Sequence, residues 1–265
     1  MKFKLSFISV SLLFALSSHG IIVRHDVAPG EYEIKAGDIP AVFFLERQGI
    51  RRVCAATVIH ERWALTAAHC VAETTLGDTI KNGRRFAVDV GNQIREIDAV
   101  LIHPDFEDGE NSEVDLALLR FRNESITPRP IEPYADSNES GEIVTLVGWG
   151  YFGVGTTGRQ FDNGTKRRAK NRISLANNRL RFVFDDPRVR GTDALPLEGT
   201  LGLGDSGGPA LVETSTGFRL AGIAIGEVGG DQFSEETQGR YGSIAVYERV
   251  SLHLDWINTI LGSES

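Results

Sequence analysis

Short runs of alternating apolar and polar residues, broken by turn residues, recur through most of this 265-residue chain. Residues 41–45, 53–59, 94–102, 116–121, 143–148, 180–184, 218–225 and 243–250 have the length and side-chain character of strands, several with one buried face. Twenty-nine glycines, against nine prolines, supply the turns that such a chain needs. Helical spacing is confined to the C-terminus, where Val250, Leu254, Ile257 and Leu261 share one face and Ser251 offers a cap. Many short strands with one terminal helix specify an all-β barrel or sandwich. Two stretches, 151–171 and 227–242, carry too much glycine and charge for a core and read as surface loops.

The first residues have the order of an export signal. Lys2 and Lys4 precede an uncharged run from Leu5 to Leu16, and small residues follow at Ser17, Ser18 and Gly20. The run is shorter than the about 20 residues that a bilayer crossing needs. Residues 1–20 are therefore expected to be a cleaved signal peptide, and the product to be secreted, extracellular or periplasmic. No later segment has the apolar length of a span, so no membrane association is expected after cleavage. Composition agrees: 41% hydrophobic and 24% charged residues suit a globular protein. With 28 basic against 36 acidic residues and no extended Lys/Arg run, nucleic acid is not an expected partner. Cys54 and Cys70 suit an oxidising compartment, where a disulfide between them would contribute ~3 kcal/mol. Their spacing is not that of a structural zinc site, and no metal-ligand cluster or cofactor motif stands out, so no cofactor is expected.

Chemistry concentrates in three segments. In Gly204-Asp205-Ser206-Gly207-Gly208-Pro209, glycines around a serine allow a tight backbone that presents the hydroxyl and gathers N–H groups toward an oxyanion. His69 lies among small residues in Leu65-Thr66-Ala67-Ala68-His69-Cys70, a rigid place for a base. Asp115, in Val114-Asp115-Leu116-Ala117-Leu118-Leu119, is an acid among apolar neighbours that needs a partner if buried. The serine segment also satisfies G-x-S-x-G, the nucleophile elbow of α/β-hydrolases. That reading requires an acid and a histidine after the serine. The chain offers only His253, in the terminal helix, with Asp231 and no βαβ pattern. Here the order is His, Asp, Ser.

Together the three segments resemble the histidine, aspartate and serine blocks of chymotrypsin/trypsin-like serine peptidases. Gly148-Trp149-Gly150, His103-Pro104, Val246-Tyr247-Glu248-Arg249-Val250 and Trp256-Ile257 are lesser matches, all in family order. The resemblance implies two antiparallel six-stranded β-barrels with a C-terminal helix. Residues 21–140 would form the barrel carrying His69 and Asp115, and 141–265 the barrel carrying Ser206. It implies a secreted serine endopeptidase acting on protein or peptide substrates. Ser206 would be the nucleophile, His69 the general base and Asp115 the orienting acid, with the Gly204 and Ser206 amides as oxyanion hole. It also implies a Cys54–Cys70 disulfide beside His69. A catalytically silent, peptidase-like binding protein is the alternative, and an esterase with the same triad a third reading.

The chain departs from the family in three places. No basic residue precedes Ile21-Ile22-Val23-Arg24, so the expected activation is cleavage after Gly20, which frees Ile21 to pair with Asp205. Thr200 stands six residues before the nucleophile, where trypsin has an acid, and Leu201, Gly202 and Leu203 follow. The expected specificity pocket of Thr200, Leu201 and Glu227 argues against Arg/Lys at P1, although Glu198 and Glu227 leave an acidic pocket open. Ile225-Gly226-Glu227 replaces the family's Ser-Trp-Gly strand. Finally, a single disulfide suits a minimal, bacterial-type member. Asn123, Asn138 and Asn163 begin N-x-S/T sequons.

Overall fold

The computed structural model describes residues 21–35, 37–107, 112–228 and 237–263. The expected signal peptide, 1–20, lies outside the described residues. The chain enters through β1 (Ile22–Val23) and then builds one sheet from β2 (Val42–Gln48), β3 (Arg51–His60), β4 (Trp63–Thr66), β5 (Phe86–Val90), β6 (Gln93–Ile102) and β7 (Ala117–Phe121). Its order is β2-β3-β4-β7-β6-β5, every neighbouring pair is antiparallel, and β2 packs back against β5. The second half supplies β8 (Ile143–Gly148), β9 (Phe152–Val154), β10 (Gly158–Phe161), β11 (Arg167–Ala176) and β12 (Arg179–Val183). Then follow β13 (Gly199–Thr200), β14 (Pro209–Thr214), β15 (Gly217–Val228) and β16 (Ile244–Arg249). Six of these close an antiparallel barrel in the order β11-β12-β16-β15-β14-β8. The architecture is that of two six-stranded barrels, as the resemblance implies.

The strand patterns follow from what each face meets. Phe86–Val90 alternates buried and exposed side chains, as a strand with one wet face should. Val53 to Ile59 is buried at every position, so its near-continuous apolar run reflects cover on both faces. The backbone of the serine loop also bonds to it at Cys54 and Ala55. The N-terminal residues join the second half of the chain. Ile22 pairs with Thr200 in antiparallel register and with Gly153 in parallel, and Ile21, Val23 and Tyr32 share a core with Leu146, Phe152, Phe182 and Tyr247.

Three expectations need correction. Residues 151–171 are not a surface loop, because they contain β9, β10 and the start of β11. The misleading signal was charge. Lys166 is buried, and its Nζ donates to the carbonyls of Asp38, Ile39 and Val42 at 2.7, 3.0 and 3.3 Å. The Arg167 side chain is fully buried and its guanidinium donates to Glu33 at 2.8 Å. Helix is also not confined to the C-terminus, since α1 (His69–Glu73) and α2 (Leu76–Lys81) follow β4. Each is too short for a heptad-scale pattern to register. Finally, α3 (Leu254–Gly262) begins three residues after Ser251, behind a short 3₁₀ turn, and Ser251 does not cap it. The Ser251 hydroxyl donates instead to Glu139 at 2.5 Å. Ile257 of α3 is buried in the same core cluster as the β2–β7 sheet.

Candidate active site

His69 opens α1 immediately after the sharp turn from β4, where Thr66, Ala67 and Ala68 are buried and small. The next residue, Cys70, is disulfide-bonded to Cys54 of β3 (S–S 2.01 Å), which ties α1 to the sheet. Asp115 precedes β7 by two residues and is buried. Its carboxylate holds His69 twice. Oδ1 accepts the His69 backbone amide at 2.9 Å, and Oδ2 lies 2.5 Å from Nδ1 of the imidazole. Burial by itself would lower the imidazole's proton affinity, but the hydrogen bond and charge of Asp115 outweigh it, and His69 is held above its ordinary value. The same pairing offsets the burial of Asp115 and holds its carboxyl below the usual carboxylate range. With Nδ1 engaged by Asp115, the ring presents Nε2 as its other nitrogen, 3.8 Å from Cys70 Sγ.

The serine segment forms the turn between β13 and β14. Gly204 and Gly207 have φ of 98° and 74°, which side-chain-bearing residues adopt only with strain. The amides of Asp205, Gly207 and Gly208 are taken by the carbonyls of Gly202, Ala224 and Asp205. Those of Gly204 and Ser206, the two assigned by resemblance to the oxyanion hole, have no backbone acceptor among the described residues. The turn is stitched to β3: Cys54 N–H donates to Gly204 O at 3.1 Å, and Ala55 N–H to Ser206 O at 2.7 Å. Thr66 Oγ1 donates to Ala55 O at 2.7 Å, so the backbones leading to Ser206 and to His69 meet on one residue of β3.

Asp205 points away from this surface. Its carboxylate accepts the amides of Gly150 at 2.6 Å and Gly202 at 2.8 Å, and full burial pushes the group up to about 6. The approach is close enough that a Cβ on Gly148 would sit 1.9 Å from Asp205 Oδ1, which accounts for the glycines around Trp149. Ile21 is buried, and a Cβ on Gly199 would lie 3.4 Å from Ile21 Cγ2.

Of the residues expected to shape specificity, Thr200 and Leu201 are buried, and Glu227 is half-buried opposite Ala245. The Glu227 carboxylate accepts the Gly239 amide through both oxygens (3.1 and 3.0 Å), and burial pushes it up to about 7. Glu198 is a structural acid, since its carboxylate takes the amides of Asp185 at 2.7 Å and Leu195 at 2.5 Å. Burial raises it to about 7 as well. Among the described residues, one group clusters metal-ligating atoms: Cys54, His69 and Cys70. Both sulfurs belong to the disulfide and offer no thiolate.

Sequence reasoning had no role for Glu248 beyond its place in a family-like string. The structure brings it to Asp115, whose backbone amide donates to Glu248 Oε2 at 3.0 Å. A buried acid inside an apolar strand was the available signal.

A family model described as Trypsin matches residues 28–257. Mouse vitamin K-dependent protein C (Mus musculus) is 28% identical over 254 residues, covering 87% of this chain and 51% of the relative. Tryptase of the same species is 25% identical over 231 residues, 77% of each chain. CLIP domain-containing serine protease B10 of Anopheles gambiae is 32% identical over 233 residues, covering 77% of this chain and 60% of the relative. The chain thus spans about half the length of the protein C relatives it matches. Among solved structures, mouse neuropsin, a serine protease expressed in the limbic system, superposes with a TM-score of 0.62 over 87% of this chain and 98% of its own. At 19% identity that likeness speaks to fold alone.

Proposed function

This chain belongs to the trypsin family of serine proteases, and from that premise we propose that it is a secreted endopeptidase working through an acyl-enzyme on Ser206. The observation that carries the reading is the double grip of Asp115 on His69, which engages the backbone amide and Nδ1 and leaves Nε2, beside Cys70 Sγ at 3.8 Å, as the nitrogen to receive the Ser206 proton. In this mechanism Ser206 Oγ attacks the peptide carbonyl carbon while its proton passes to His69 Nε2. Asp115 stabilises the imidazolium so formed. The amides of Gly204 and Ser206 receive the developing oxyanion, each such donor being worth about 3–4 kcal/mol. The C–N bond then breaks as His69 returns the proton to the leaving amine. Water, deprotonated by the same base, hydrolyses the ester and restores Ser206.

Two finer features accompany the proposal. Removal of residues 1–20 frees the α-amine of Ile21 to pair with Asp205, whose buried carboxylate has hydrogen bonds from Gly150 and Gly202 but gains a full counter-charge only then. Thr200 and Leu201 in the specificity pocket, with Glu227 occupied by Gly239, favour small or apolar P1 side chains over Arg/Lys. Secretion is supported by the Lys-apolar-small order of residues 2–20.

The deciding experiment is the intact mass of the secreted protein before and after a fluorophosphonate, with Ser206→Ala as control. Stoichiometric labelling of the wild type alone is expected, with an unlabelled mass that begins at Ile21. No labelling of a chain that already begins at Ile21 would replace the proposal with the silent-binder reading. No labelling of a longer chain would identify an unactivated zymogen.

A further inference from the structure

Behind Asp115 the hydrogen bonding continues into a second buried acid. Glu248 of β16 has a side chain only 1% exposed, and its two oxygens face different elements. Oε2 accepts the Asp115 amide at 3.0 Å and lies 3.7 Å from Arg179 Nε on β12. Oε1 lies 3.1 Å from Nε2 of His253, the residue that precedes α3. The His253 ring packs edge-on against His103 at 5.0 Å, and His103 lies 4.8 Å from Trp256. His103 Nδ1 accepts the Asp105 amide, and Asp105 Oδ2 is 3.8 Å from it. The groups around Glu248 are therefore Asp115, Arg179 and His253, with His103 and Asp105 one step further.

We propose that Glu248 is a positioning residue for the His69–Asp115 pair, acting through the backbone of Asp115 and linking it to the start of the C-terminal helix. Asp115 sits outside any strand, so no ladder bond fixes its amide. The next residue is held by His103 N–H to Leu116 O at 2.9 Å, and Glu248 supplies the matching anchor on Asp115. An ionised acceptor makes that anchor stronger than a neutral one. The charges that favour the His69 imidazolium are those of Asp115 and of Glu73 on α1, and Glu248 acts on the first through the position it gives Asp115. The inference rests on the reading of Asp115 as orienting acid, but the His69–Asp115 pair can be interrogated without turnover.

The test is an NMR titration of the His69 ring in wild type, Glu248→Gln and Glu248→Ala, alongside kcat and KM. Glutamine keeps an acceptor for the Asp115 amide but removes the charge. By weakening the anchor it is expected to loosen the grip of Asp115 and lower the His69 midpoint by about half a pH unit or more, with kcat within a few-fold of wild type. Alanine removes both and is expected to cost about 10–100-fold in kcat at little change in KM. A His69 midpoint unmoved in Glu248→Gln overturns the proposal, as does a folded Glu248→Ala with wild-type kcat. If the alanine variant does not fold, the isosteric glutamine variant decides alone. If no form turns over substrate, the titration still reads Glu248, and it is the peptidase reading that fails.

Discussion

The amide of Ala55 donates to the carbonyl of Ser206 at 2.7 Å, joining residues 151 positions apart in sequence. Ala55 O, in turn, accepts the hydroxyl of Thr66, three residues before His69. One residue of β3 thus sets the spacing between the two halves of the candidate active site.

The same junction makes Gly207 intolerant. A Cβ there would lie 2.2 Å from Ala55 O and 2.3 Å from Thr66 Oγ1, at a φ of +74°. Gly207→Ala is expected to lose at least about 1–3 kcal/mol from backbone strain and to abolish fluorophosphonate labelling. Urea unfolding and intact mass check both. A variant of unchanged stability that still labels would contradict the packing described.

Asp115→Asn tests the double grip on His69. The imidazole is held above its ordinary value by Asp115 against the opposing effect of burial. Without the carboxylate, the midpoint of the acid limb of kcat/KM should move to lower pH, and kcat should fall about 10⁴-fold through loss of the correct tautomer. A pH–rate profile on a peptide ester reads both. An acid limb that stays in place would mean that another group titrates.

Stability should decline as the pH rises toward neutrality, and Glu198 should carry part of the decline. Its folded value of about 7 lies above the ordinary 4.5 of a glutamate. A carboxyl raised in this way contributes stability that is complete below the unfolded value and is lost as the pH rises through the folded one. The window is therefore about pH 4.5 to 7, with a loss of up to about 3 kcal/mol. Glu198→Gln, which cannot ionise, should flatten the slope of unfolding free energy across that window. An identical slope in the variant would remove Glu198 as its source.

Glu139→Ala should be among the costliest substitutions far from the site. The fully buried Glu139 carboxylate accepts Arg249 through both oxygens (3.0 and 2.6 Å) as well as the Ser251 hydroxyl. Truncation leaves a mostly buried guanidinium without its counter-charge, a change that costs about 3–5 kcal/mol. Chemical denaturation measures it, and a loss under 1 kcal/mol would show that the Ser137, Ala176 and Asn177 carbonyls suffice for Arg249.

What the sequence determined by itself is local in origin. The residue types of 94–102 and 243–250 report strands, although β16 is buried at every position from 245 to 249 and β6 exposes Ile94 beside buried Arg95, and the stripe through Val250 and Ile257 reports a helical turn and helix because both side chains meet a core. The blocks around His69, Asp115 and Ser206 stood out as candidates because each polar group has small or apolar neighbours in its own segment. Tertiary structure decided whatever depends on partners distant in the chain. Lys166 and Arg167 are charged, yet they lie in and beside a strand because carbonyls from 38–42 and the carboxylate of Glu33 receive them. Ser251 looks like a cap, but Glu139, 112 residues earlier, takes its hydroxyl. Glu248 meets the Asp115 amide across 133 residues. A buried polar group is stable only with its partner in place, and nothing in the residues beside it says which partner the fold will bring.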